Sequence, residues 1–116
     1  MALKIAFMGY NVRHTGMSMM QFAADNATQV ERYERYIGRM LLTDGTEITA
    51  ISNPGQLRGR RFDQAIIADD HRRAVSRLYL YLTDALHLAL SGSNIPEEFR
   101  YQIYDIDEEA PNHGKA

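Results

Sequence analysis

A chain of 116 residues, shorter than ~150, predicts a single domain. Its hydrophobic content of 45% and charged content of 24% are ordinary for a soluble globular protein. A formal net charge of -2, with a pI near 6.0, argues against a dominant nucleic-acid footprint, and the absence of cysteine excludes a disulfide framework or thiolate metal site.

The first apolar run, Ile5 to Met8, is too short for a signal peptide, and no segment approaches a membrane span. A cytoplasmic, soluble protein without a membrane partner is the expectation. Leu3 to Met8 reads as a buried strand closed by Gly9 and Asn11. From Gly16 onward the pattern turns helical, with Met20, Ala23 or Ala24, Ala27, Val30, Tyr33, Ile37 and Met40 recurring every three or four residues. Thr28-Gln29-Val30-Glu31 matches a capping box, so the helix is expected to break near Asp25-Asn26 and restart.

Asp44-Gly45 allows two readings. It ends that helix, or it turns a hairpin pairing Arg39–Thr43 with Thr46–Ile51. The spacing through Met40 favours the helix. Glu47 to Ser52 is a strand in either case, and Asn53-Pro54-Gly55 is a turn. Phe62 to Ala68 reads as a central strand, because its apolar run is continuous from Ala65 to Ala68. Asp70 then caps a helix from His71 to about Leu90. Pro96 starts one more helical turn, Tyr101 to Ile106 is a last strand, and residues 107–116 are expected to be a disordered tail. Residues 1–106 would form one α/β domain, a small three-layer sandwich with a mostly parallel four-stranded sheet. Ligands in such sheets bind beyond the carboxyl ends of the strands.

Two segments at that edge carry a resemblance. The window Asn11-Val12-Arg13-His14-Thr15-Gly16-Met17-Ser18 follows the first strand, and Ala65-Ile66-Ile67-Ala68-Asp69-Asp70 is an apolar strand ending in acid. Over roughly Leu3 to Asp70 the chain resembles a small P-loop nucleotide-binding protein, of the kind found among phage-encoded ATPase-like proteins. Gly16 and Ser18 match the first motif; Asn11 stands where glycine is usual, and Met17 where lysine is required. The resemblance implies a P-loop-like topology and a phosphate or nucleotide site at Asn11, Arg13, Thr15, Gly16, Met17 and Ser18. It implies magnesium near Ser18, Asp69 and Asp70, with nucleotide and magnesium as cofactors.

The missing lysine would supply positive charge to the terminal phosphates. Eleven of the thirteen basic residues are arginine. Lys4 begins its strand and Lys115 is in the tail, leaving Arg13, Arg72 or Arg73 as substitutes. Arg58, Arg60 and Arg61 precede their strand, roughly 20 Å from Asp69 at ~3.3 Å per residue, and read as a solvated loop or a weak phosphate contact.

His14, Asp69, Asp70 and His71 would converge at the same sheet edge, the donor set of a metal-dependent phosphoesterase. A helix cap at Asp70 and an exposed His71 account for those residues without a metal, and His87 reads as a partly buried helix residue. The helix through Tyr79–Leu90 carries more apolar residues than one core-facing stripe needs. Either it lies deep in the domain, or it also joins a second copy with Tyr79 or Tyr81 as anchors.

The sequence thus suggests a degenerate P-loop-like protein without efficient catalysis, with no residue assigned a catalytic role, acting by binding or assembly. A functional nucleotide binder or weak NTPase, and a metal-dependent phosphoesterase, are the alternatives.

Overall fold

The computed structural model describes residues 2–9, 11–57, 59–69 and 84–105. Six strands form one mixed sheet: β1 (Lys4–Met8), β2 (Val30–Glu34), β3 (Arg39–Leu42), β4 (Glu47–Ala50), β5 (Gln64–Asp69) and β6 (Tyr101–Asp105). Their spatial order is β2-β3-β4-β1-β5-β6. β1 pairs in parallel with both β4 and β5, and β5 with β6, whereas β3 is antiparallel to β2 and β4. Helix α1 (Val12–Asp25) follows β1, and residues 84–89 form a second helix, α2.

Each face of the sheet has its own core. Ile5, Phe7, Met40, Ile48, Ile66 and Ala68 meet Met19 of α1 on one side. Ala6, Met8, Ala65 and Ile67 meet Leu86, Ala89 and Leu90 on the other. β1 and β5 contribute to both cores, which is why their sequences are apolar runs rather than alternations. Phe7, Phe22 and Tyr104 form an aromatic cluster on the α1 face, with ring centroids 5.2–6.2 Å apart.

The sheet has six strands, not the four expected. The expected helix through Met40 is instead strand, turn, strand, and the hairpin reading of Asp44-Gly45 is the one observed. Gly45 adopts φ 92°, the Leu42 carbonyl accepts from its N–H at 3.0 Å, and Asp44 Oδ1 accepts from the Thr46 N–H at 2.9 Å. This is a three-residue hairpin loop ending in a left-handed glycine. The misleading spacing has a specific cause. A register shift between Val30 and Arg32 makes β2 bulge, so Val30 and Tyr33, three residues apart, pack on the same core. Met40 and Leu42 oppose them at the ordinary spacing of two.

α1 begins at Val12, four residues earlier than Gly16. Pro96 precedes a short turn of helix at Glu97–Phe99, close to expectation. The proposed start of the second helix at His71, its Tyr79 and Tyr81 anchors, and the tail at 107–116 lie outside the described residues.

Candidate functional site

The chain leaves β1 through α1 and returns beside it as β4, on one side. From β5 it passes through α2 to β6, on the other side. The carboxyl ends of β1 and β5 are therefore neighbours from which the chain departs in opposite directions, the position where open α/β sheets bind ligands. The registers place Met8 level with Ile67, so Asp69 ends β5 just beyond the end of β1. Asp69 is also the register partner of Asp105 on β6, a carboxylate that the sequence reading passed over.

Only residues 9–11 connect β1 to α1. Gly9 is buried, and a Cβ there would stand 2.5 Å from His14 Nδ1 and 3.0 Å from the Thr15 Cα. Glycine thus lets the helix start against the strand end. Asn11 caps α1: its Oδ1 accepts from the His14 N–H at 2.7 Å. Its carbonyl accepts from the Thr15 N–H at 2.9 Å and from Thr15 Oγ1 at 2.7 Å. Thr15 Oγ1 in turn accepts from the Gly9 N–H at 2.8 Å.

The residues of the Asn11–Ser18 window therefore do not share one loop. Asn11 is the cap, and Arg13, Gly16 and Met17 are exposed on the helix, Met17 at 59%. Thr15 and Ser18 are buried. Ser18 lies six residues into α1, roughly 9 Å along the axis at ~1.5 Å per residue, and its Oγ is 3.5 Å from His14 Nε2. No acidic residue occupies the first turn of α1, and its cap, Asn11, is neutral.

Asp69 takes the expected place at the carboxyl end of β5; Asp70 and His71 are outside the described residues. Among the described residues no group of three His, Cys, Asp or Glu is placed to hold a metal ion. His87 is exposed rather than partly buried, stacked against Tyr101 with Nδ1 3.3 Å from the phenol oxygen. Arg60 and Arg61 precede β5 at the amino edge, away from Asp69, as the spacing predicts.

At the far end of α1, Tyr104 of β6 donates a hydrogen bond to Asp25 Oδ2. Burial first, and then this carboxylate, push the Tyr104 phenol well above its ordinary value. No helix among the described residues is long and apolar enough to cross a membrane. No family model matches the chain, and no curated protein matches it significantly.

Proposed function

We propose that this chain is a non-hydrolysing α/β domain, laid out like a P-loop protein but without a working phosphate loop, and that it acts by binding or assembly. The observation carrying this reading is the corner between β1 and α1, where the strand-end amide and the helix cap are bonded to neighbouring residues of the chain. A phosphate loop offers several backbone N–H groups to an anion. Here the Gly9, His14 and Thr15 amides are bonded to Thr15 Oγ1, Asn11 Oδ1 and the Asn11 carbonyl. Met17 in place of lysine removes the charge those phosphates would need. Assembly through α2 is supported by Leu88, which is 74% exposed while Leu86, Ala89 and Leu90 are buried.

A second reading, nucleotide binding with weak turnover, is favoured by the adjacent carboxyl ends of β1 and β5 and by Asp69 as the last residue of β5. Thermal-shift and hydrolysis assays with ATP and GTP, with and without magnesium, separate the two. The first reading expects no stabilisation and no turnover. Magnesium-dependent stabilisation by nucleotide would overturn it in favour of the second.

A further inference from the structure

The amino edge of the sheet, opposite the carboxyl ends of β1 and β5, holds a cavity of about 630 Å³ between the loop preceding β5 and the last turn of α2. That volume is in the ~300–1,000 Å³ range of small-molecule sites. Leu57, Ala85, Leu88 and Ala89 supply an apolar wall, and Arg60 and Arg61 a charged end. A second cavity, of about 370 Å³, shares Gly59, Arg60 and Arg61 and adds Lys4.

The charges here are unbalanced. Both carboxylates lining the second cavity are engaged: Glu47 pairs with Arg39, and Asp63 Oδ2 accepts from the Lys4 backbone N–H at 2.9 Å. Among the described residues, neither the Lys4 ammonium nor the Arg61 guanidinium has a carboxylate partner. Arg60 lies over the Phe62 ring, 5.2 Å from its centroid, and its Nη1 donates to the Gln56 carbonyl at 3.5 Å, leaving its other N–H groups for a ligand. Arg61 lies against Gly92, where a Cβ would stand 3.3 Å from Nη1.

The negative end of a helix attracts a cation, which accounts for an arginine at this place. Among the described residues it leaves the donors of Arg61 unfilled. The Ala89 carbonyl accepts from the Phe62 N–H at 3.2 Å, and the Leu88 carbonyl from the Ser91 N–H and Oγ at 3.1 and 2.8 Å. An open guanidinium beside an apolar wall selects a ligand with both characters, because the planar fork suits an oxyanion and the wall an apolar body. We infer that this cleft binds a small amphiphilic oxyanion, its head on Arg60 and Arg61 and its apolar body along Ala85, Leu88 and Ala89. The site is independent of the carboxyl ends of β1 and β5, from which the length of β5 separates it by roughly 17 Å at ~3.3 Å per residue.

The test uses the full chain with phenyl phosphate as probe, and inorganic phosphate and phenol as controls, by calorimetry and amide chemical shifts. Phenyl phosphate is expected to bind at least tenfold more tightly than either control, shifting the amides of Gly59, Arg61, Leu88 and Gly92. Arg61→Gln should weaken it at least tenfold, Arg60→Gln should weaken it too, and both variants should keep the parent amide spectrum elsewhere. Leu88→Gln should weaken phenyl phosphate but not inorganic phosphate. Equal affinity for probe and controls, indifference to both arginine changes, or shifts confined to Asn11–Ser18 would overturn the inference. Nucleotide binding at the carboxyl ends of β1 and β5 would move that last set of amides alone, so the two sites are told apart.

Discussion

The Gly9 N–H donates to Thr15 Oγ1 at 2.8 Å, closing the corner between β1 and α1 from within. Thr15 is 1% exposed, and its hydroxyl also donates to the Asn11 carbonyl. One side chain therefore serves both the strand end and the helix cap.

Replacing Thr15 with valine keeps the shape and removes both bonds. The buried Gly9 N–H is then unsatisfied, at a cost of about 1–3 kcal/mol. Thr15→Ser should retain most of the stability. Urea unfolding of the two variants measures the difference, and equal losses would show that the methyl group matters as much as the hydroxyl.

Gly9→Ala should also destabilise, by about 1–3 kcal/mol, for a steric reason. The His14 ring, 2.5 Å from the added Cβ, can turn away; the Thr15 Cα, at 3.0 Å, moves only if α1 moves. A variant as stable as the parent would mean that α1 shifts freely on the sheet.

Met17→Lys restores the lysine of the motif and should not create an ATPase. Position 17 is exposed on the helix, five residues past its first residue, rather than in a loop around a phosphate. Turnover near ~1 per second or faster, lost on Asp69→Ala, in either parent or variant would overturn the non-hydrolysing reading.

Tyr104 should be among the last of the seven tyrosines to ionise. Burial and the Asp25 carboxylate favour its neutral form, so its folded value lies above the ordinary 10.0. The sign follows from linkage: this contribution is complete below pH 10 and is lost as pH rises from there through the folded value. Tyrosinate absorbance should show a late step that is absent in Tyr104→Phe, and the variant should lose less stability than the parent on going to high pH.

Self-association through α2 should depend on Leu88. Burying such side chains stabilises an interface at ~25 cal/mol per Å² of apolar area, against the entropy cost of association. Sedimentation at micromolar concentration should show a species heavier than the 13.3 kDa chain, reverting to monomer in Leu88→Asp. A parent that sediments as monomer leaves Leu88 as a rim residue of the amino-edge cavity alone.

The sequence by itself determined the strands whose side chains are buried on both faces. Ile5 to Met8 and Ala65 to Ala68 are apolar runs because each must fill two cores, and that requirement is local enough to read directly. It also placed Asp69 at a strand's carboxyl end and Arg60 and Arg61 at the opposite edge, since a strand's rise per residue is fixed. Tertiary structure alone decided the rest. The bulge in β2 turned a period of two into a spacing of three, disguising a hairpin as a helix. The start of α1 at Val12 rests on contacts among Gly9, Asn11 and Thr15 that no periodicity encodes. The pairing of Asp69 with Asp105, and the packing of Arg61 against Gly92, join residues more than thirty positions apart. Neighbours of that kind are set by how the strands order in the sheet, which only the assembled core fixes.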